Sequence, residues 1–229
     1  MKVLSYNIRG GWLQKRPERL RAVAAVIADS SADVVALQEV AGGESDNQAE
    51  ALARLTDMEA VYHPVHNGRR GQLGNAILSR RPAARHRRHE LPGRFPQRRG
   101  ALEAHLQIGE GEVAVFSTHL VHLGGLMARL RRRQLDYLAA HLQQLDRPWI
   151  LAGDFNTLSG SAELGPLRRA GLHLAPHPAP RATFPARSPR WRLDHIGVAP
   201  EWEWVTCEAV TSEASDHLPL LAELRWRSG

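Results

Sequence analysis

The sequence predicts an α/β fold for its 229 residues, organised as one domain spanning 1–229. Three observations carry that reading. Apolar runs of strand length alternate with stretches in which apolar residues recur at helical spacing. Two of those runs, residues 33–37 and 149–152, are close to uninterrupted, as strands covered on both faces are. No repeat, low-complexity tract or linker divides the chain. A fold of this length buries roughly 70–75% of its unfolded surface and needs no disulfide or structural metal to stand.

In chain order, residues 2–8 (KVLSYNI) form the first strand, broken by Gly10 and Gly11. Pro17 stands near the start of a helix in which Leu20, Val23, Ala24 and Ile27 repeat at i, i+3, i+4 and i+7. Residues 33–37 make a strand that ends at Gln38 and Glu39, and 46–56 a short helix. Residues 61–66 and 75–79 are strands joined by the glycine-rich turn NGRRGQLG. Pro82, Pro92 and Pro96 predict an irregular loop through the segment that follows. Residues 101–108 and 112–118 make a hairpin about Gly109, Glu110 and Gly111. From Leu126 to Leu145, apolar residues at helical spacing predict a long amphipathic helix with Arg129, Arg131, Arg132 and Arg133 on its outer face. Pro148 ends it, and 149–152 is the next buried strand. A short helix near 161–170, a Pro/His-rich loop (APHPAP) and strands at 193–198, 204–210 and 218–224 complete the chain.

The formal net charge is +6, carried by 28 arginines and only two lysines, Lys2 and Lys15. Residues 69–99 hold ten of those arginines against the single acid Glu90, a local charge of +9 that leaves −3 for the rest of the chain. A basic loop beside an acidic rim would draw in a polyanion; a genome-wide arginine bias with a solvated loop explains the same composition. The single cysteine, Cys207, shares the alternation phase of Val205 and Ala209 and reads as an inward strand position, not a reactive thiol. The start MKVLSYNIRGG lacks a basic region followed by a long apolar run, and no apolar stretch approaches ~18 residues. The expectation is a cytoplasmic, monomeric protein without membrane insertion.

The chemistry lies at the ends of the apolar runs. SYN at Asn7, LQE at Glu39, STH at His119, GDFN at Asp154 and Asn156, LDH at Asp194 and His195, and SDH at Asp216 and His217 each deliver a carboxylate, amide or imidazole to a sheet rim. Oxygen ligands and acid/base groups gathered on one rim suit a hard divalent cation and hydrolysis of phosphate esters. Glu39, at the end of a strand buried on both faces, is the first metal ligand, since a buried charge needs a partner; a strand-end glutamate facing water is the simpler alternative. Asn7 can orient metal-bound water or a phosphate, or simply form a turn. Asp154 and Asn156 share one side of an extended segment with Phe155 opposite, unless Asn156 is the N-cap of the helix near 161. Asp194 is expected to fix the tautomer of His217, with Asp216 near the metal, His119 on a phosphate oxygen and His195 turned into the core. Two other histidine pairs, His86/His89 and His119/His122, have zinc-like spacing but no cysteine nearby, and Glu90 is the one acid beside either pair. P-loop, nucleophile-elbow and dinucleotide fingerprints are absent.

Taken together, SYNIRG, LQEV, GNAILSR, STHL, GDFNT, RLDHI and SDHLP resemble, in order, the motifs of the endonuclease/exonuclease/phosphatase superfamily of DNase I-like and exonuclease III-like enzymes, over nearly the whole chain. The resemblance implies a four-layered α/β sandwich, with two mixed sheets face to face and helices outside. It implies Mg²⁺ or Mn²⁺ held chiefly by Glu39 with Asn7 and Asp216 close by, and a His217–Asp194 pair. It further implies that Asp154 and Asn156 position water and stabilise the transition state, and that His119 contacts phosphate. Asn75, Arg9 and Arg99 are the expected substrate-binding residues. Two departures matter. DNase I-like members have an acid before the strand at 75–79, where Gly71, Gln72, Leu73 and Gly74 offer none, and abasic-site nucleases usually have tyrosine at the position of His119.

The functional expectation is a divalent-metal-dependent phosphodiesterase acting on nucleic acid. Hydrolysis of phospholipid head groups or small sugar phosphates is the second reading, and nucleic-acid binding without cleavage the third. A broad basic groove between residues 85–99 and 129–133 favours a polymer, and a narrow pit a small molecule.

Overall fold

A computed structural model describes residues 1–13, 16–43, 47–68, 71–94, 97–109, 111–122, 124–175 and 182–227. Arg69, Arg70, Pro96, Glu110 and residues 176–180 of the Pro/His-rich loop, about which the sequence makes expectations, lie outside them.

Two six-stranded mixed sheets face each other. The first contains β1 (Lys2–Asn7), β2 (Val34–Ala41), β3 (Glu59–Gly68), β4 (Gly71–Ser79), β11 (Trp202–Ala209) and β12 (Leu220–Trp226), in the order β11-β12-β1-β2-β4-β3. The second contains β5 (Arg85–Glu90), β6 (Gly100–Ile108), β7 (Gly111–His119), β8 (Trp149–Asp154), β9 (His173–Leu174) and β10 (Asp194–Val198), in the order β5-β6-β7-β8-β10-β9. Helices α2 (Pro17–Ser30) and α3 (Gln48–Thr56) cover the outer face of the first sheet, where Val23, Ile27 and Leu52 meet Leu4, Tyr6, Val35 and Leu37. Helices α4 (Ala128–Leu142) and α5 (Gly165–Arg169) cover the second sheet through Leu135, Leu138, Leu142 and Leu167. This is the four-layered sandwich the resemblance implies. The central layer joins Val34 and Ile77 of one sheet to Leu102, Phe116 and Ile150 of the other in one buried cluster.

Register explains why the strand ends converge. Parallel pairing sets Asn7 against Gln38 and His119 against Asp154, and antiparallel pairing sets Asp194 against Asp154. Two polar bonds tie the sheets together just beneath that rim: Gln38 Nε2 donates to Ser117 Oγ at 3.1 Å, and Ser117 Oγ to the Leu37 carbonyl at 2.8 Å. Both residues are fully buried, so these bonds satisfy the Gln38 Nε2 and Ser117 hydroxyl groups there, while Gln38 Oε1 has no hydrogen-bond partner among the described residues.

Several elements differ from the sequence reading. β2 does not stop at Glu39 but runs to Ala41 through a bulge between Leu37 and Val40. The loop expected after Pro82 contains a regular strand, β5, whose RHRRHE sequence hides it; at a sheet edge only His89 turns inward and the charged residues face water. β3 and β4 extend into the expected glycine-rich turn. α4 ends at Leu142, and Arg131, expected outside, is 2% exposed and paired with Glu163, while Leu126 is exposed. A bulge between Trp204 and Thr206 turns Val205 outward, so it does not share the half-buried position of Cys207. The short α1 (Gly10–Leu13) and the two-residue β9 were not anticipated.

Candidate active site

Between the sheets at this rim opens a pocket of about 300 Å³, lined by Glu39, Asn75, Arg99, His119, Asp154, Asn156, Asp216 and His217. The other three expected residues stand directly behind or beside it. Asn7 lies under Glu39 and Asp154, Asp194 behind His217, and Arg9 pairs with Asp216 at 3.2 Å. All eleven sequence-derived residues are thus gathered at one place.

Local backbone accounts for much of this placement. Non-glycine residues with positive φ are Arg9, Ser31, Glu39, Asp57 and Asn156 among the described residues. Ser31 and Asp57 are helix C-caps, where that conformation is routine. The other three border the pocket, each in a conformation that costs roughly 1–3 kcal/mol unless its surroundings enforce it. At Glu39 the cause is the β2 bulge, which turns the carboxylate out of the ladder and toward the pocket. Gly153 prepares the next position: a Cβ there would run into the Thr118 carbonyl of β7, so only glycine lets β8 approach closely enough to set Asp154 beside His119.

The polar contacts form a connected set. Asn7 Nδ2 donates to Glu39 Oε1 at 3.3 Å and to Asp154 Oδ2 at 3.2 Å, while Asn7 Oδ1 accepts from the Arg9 N–H at 3.1 Å. The amide therefore holds two carboxylates apart through its nitrogen. Its oxygen already accepts one backbone N–H, which leaves a single lone pair free on that oxygen. His119 Nε2 lies 3.5 Å and His217 Nε2 3.8 Å from Asp154 Oδ2. His217 Nδ1 and Asp194 Oδ2 are 2.8 Å apart, as expected of a carboxylate that fixes a histidine tautomer. Asn156 is no helix cap: its N–H donates to Asp154 Oδ1 at 2.9 Å and its side chain to the Leu120 carbonyl at 3.1 Å, while Ser161 caps the following 3₁₀ turn. Phe155 is buried on the opposite side and packs against His195, which is fully buried and 2.8 Å from the Thr157 carbonyl. His195 is a core residue, as predicted.

Burial and neighbouring charge set unequal proton affinities. Burial and the nearby Asp194 charge raise the Asp154 carboxyl well above the usual carboxylate range. Burial opposes a charge on His217, but Asp194, Asp154 and Asp216 together outweigh it and push its pKa up to about 10. Burial, then Arg99, holds His119 neutral. At neutral pH the pocket thus has an imidazolium, a neutral imidazole and a carboxylate of raised basicity around one space.

Arg99 is the basic group inside the pocket. It is 6% exposed, no carboxylate among the described residues lies within ion-pair distance of it, and its Nε has no hydrogen-bond partner; one Nη is 3.1 Å from His122 Nδ1. A buried guanidinium without an anion is a receptor for one. Asn75 is more constrained than expected, because its amide nitrogen donates to the Gly100 carbonyl at 2.8 Å.

Sequence reasoning missed His66, Gln97, His122 and Phe184, which also line the pocket. Phe184 contacts His217, with ring centroids 4.7 Å apart, and stacks on the exposed Trp191 at 6.3 Å. Only His122 carried a signal, as the second histidine of STHLVH.

The family model described as the endonuclease/exonuclease/phosphatase family matches residues 4–217. The uncharacterized protein YbhP of Escherichia coli (strain K12) is 31% identical over 255 residues, covering 97% of this chain and 95% of YbhP. Among solved structures, the catalytic domain of human Nocturnin with a bound sulfate anion aligns with a TM-score of 0.82 at 20% identity, over 99% of this chain and 93% of that one. A mannosyl-6-phosphatase of Bacteroides thetaiotaomicron VPI-5482 aligns with a TM-score of 0.80 at 19% identity, over 99% of this chain and 100% of its own. At such identities the two structures speak for the fold.

Proposed function

The chain belongs to the endonuclease/exonuclease/phosphatase family, a family of phosphoester hydrolases, and on that premise we propose that the rim pocket hydrolyses a compact phosphoester or an exposed terminal phosphate group. The observation that carries this reading is the unpaired, buried Arg99 facing Glu39, His119, Asp154 and His217 across a pocket of about 300 Å³. In this reading the substrate phosphate sits against Arg99 and the neutral His119. Asp154, raised in basicity by burial, takes a proton from the attacking water. Asn7 and the Asn156 N–H hold that carboxylate in place. The His217 imidazolium, oriented by Asp194, donates to the phosphoryl oxygens as charge develops on them.

The family generally uses divalent metal ions, and acidic and imidazole groups here are placed for one: ligand atoms of Asp154, Asp194 and His217 lie within 4.8 Å of one another. Asp194 and His217 are already engaged with each other, so Glu39 is the better seat. Its carboxylate is half-buried at the pocket, with the Asn7 amide donor at 3.3 Å and the neutral His119 Nδ1 at 4.0 Å. Glu39 with Asp216 offers oxygen donors suited to Mg²⁺ or Mn²⁺. When bound, such an ion supplies Lewis-acid stabilisation of phosphoryl charge.

The broad basic groove expected for a polymer has weak support. Arg131 is buried on Glu163, and Arg85 pairs with Glu112 about 17 Å of extended strand from the rim. Arg80 and Arg81 border a different pocket, beside Met1 and Asp33. One observation favours a nucleic-acid substrate: Arg94, Arg98 and Arg99 line a neighbouring cleft of about 320 Å³ that shares Val65 and Arg99 with the pocket.

The test is a hydrolysis panel in Mg²⁺ and in Mn²⁺, with His217→Ala as the inactive, folded control. The panel holds sugar phosphates, nucleotides, small phosphodiesters, phospholipid vesicles, and plasmid, single-stranded and abasic DNA. Turnover of small phosphoesters with none of the DNA substrates supports the compact reading. Cleavage of plasmid or abasic DNA at higher efficiency replaces it with the nucleic-acid one.

A further inference from the structure

A second cluster of acid and imidazole groups lies away from the rim, where α4 crosses the outer face of β5 and β6. His89 Nε2 and His141 Nε2 point at the same oxygen, Glu103 Oε2, at 2.7 and 3.0 Å. His105 Nε2 takes the other oxygen, Oε1, at 2.8 Å. The His89 and His141 rings lie 4.5 Å apart by centroid. Glu103 and His89 are buried, and only the His141 side chain, at 16% exposure, opens toward water. The proposed hydrolysis uses none of these groups.

We propose that His89 Nε2, His141 Nε2 and Glu103 Oε2 form a second metal site, for Zn²⁺ or a similar borderline transition ion, that ties α4 to the β5–β6 edge. The three ligand atoms already lie within 4.8 Å of one another. Tetrahedral zinc with bonds of ~2.0–2.1 Å holds its donors about 3.3 Å apart. The two contacts to Glu103 must therefore open by roughly 0.3–0.6 Å, a small adjustment for side chains converging from three elements. Two nitrogens and one oxygen favour zinc over the all-oxygen preference of Mg²⁺.

The surroundings match what metal ligands need from their neighbours. His89 binds through Nε2 with its proton on Nδ1, and that nitrogen has Tyr137 Oη at 3.3 Å. Glu103 keeps His105 on its second oxygen, and His105 Nδ1 is 2.9 Å from Glu112 Oε1. These contacts orient a histidine and a carboxylate from behind. A water on the exposed side of His141 completes four-coordination. Beside the zinc-like His86/His89 pair the sequence offers only Glu90, which is exposed on β5; the fold instead supplies Glu103 from β6 and exchanges the second histidine for His141 of α4.

The experiment titrates Co²⁺, and separately Zn²⁺, into the whole protein in excess Mg²⁺, comparing the parent with His141→Ala and Glu103→Gln. Rim-site binding is common to all three proteins, so the difference isolates this cluster. The expected result is one additional equivalent of bound ion in the parent, the intense visible absorption of four-coordinate Co²⁺, and a higher Tm with Zn²⁺. Each variant should bind that equivalent at least tenfold more weakly. Glu103→Gln puts folding at risk, but His141 is partly exposed at a helix end, so His141→Ala keeps the comparison sound. It should retain the parent's Mg²⁺-supported activity. Equal stoichiometry and equal spectra in parent and His141→Ala overturn the proposal, as does a parent without the four-coordinate absorption.

Discussion

Replacing Asp194 with Asn tests the proposed division of labour in the pocket, because it removes one charge while preserving shape. The Asp194 carboxylate lies 2.8 Å from His217 Nδ1, with both groups buried, and the His217 pKa stands at about 10. Without the Asp194 charge the burial of the imidazole remains, and its pKa falls toward the ordinary value of about 6.5. At pH 8 the imidazolium fraction then drops from about 0.99 to about 0.03, a loss of roughly 30-fold from protonation alone. At pH 6 the same change costs less than about twofold. Asp194 also helps to raise the Asp154 carboxyl, so the acid limb should shift to lower pH in the same variant. The assay is kcat/KM against pH from 5.5 to 10 on a chromogenic phosphoester, for parent and Asp194→Asn. Two limbs that both move toward acid are the expected outcome. A uniform loss with an unmoved alkaline limb would mean that His217 does not act as an imidazolium, and the assigned roles would be wrong.

Other consequences can be measured independently. Glu39→Gln should raise the Mg²⁺ concentration for half-maximal activity by at least about tenfold while leaving the urea midpoint near that of the parent; unchanged metal dependence removes Glu39 as ligand. Arg99→Ala should raise KM or the Ki for inorganic phosphate by roughly 10- to 200-fold, the range for one charge-assisted contact of about 1.5–3 kcal/mol, and equal phosphate inhibition in the two proteins counts against the anion seat. Gly153→Ala drives a methyl into the Thr118 carbonyl and should cost several kcal/mol, on the order of backbone strain and overpacking combined, seen as a large drop in Tm or loss of soluble protein. His63 and His195 are buried, with pKa values lowered to about 4 chiefly by burial. They resist protonation when folded but not when unfolded, so the stability they contribute is complete above pH 6.5 and is lost as pH falls through about 4. Unfolding free energies from denaturant curves at pH 7 and 4.5 should differ by about 2.5 kcal/mol per histidine, and His195→Gln should flatten the slope.

What the sequence made legible were groups that end an apolar run, because the run fixes a strand and the strand's end fixes the rim. Asn7, His119 and Asp154 follow that logic, and Asp194 follows it from the other direction, at the start of an antiparallel strand. Glu39 was identified for a reason that only partly holds. The strand continues past it, and the carboxylate reaches the pocket because a bulge turns it out. No periodicity argument contains a bulge, since one extra residue is decided by the partner strand and not by the residues of the bulged strand. β5 was lost for a related reason: an edge strand with its charged residues in water has no apolar alternation to read.

The remaining gaps trace to partners far along the chain. Arg131 looks like an outer-face arginine until Glu163, 32 residues away, is brought against it. Phe184 has no strand or helix of its own to announce it, and owes its place at His217 to the loop that pairs it with Trp191. The His89–Glu103–His141 cluster spans separations of 14 and 38 residues across two strands and a helix. Sequence spacing ranks such a cluster low because it counts only near neighbours, whereas antiparallel β5–β6 pairing and the descent of α4 set its geometry. The rim and this cluster therefore differ in kind. At the rim, strand direction gathers most of the groups, with a bulge and the loops between strands bringing in the rest. At the second site, helix-on-sheet packing has to place His141 to within about an ångström, so any ion bound there depends on that packing and in turn reinforces it.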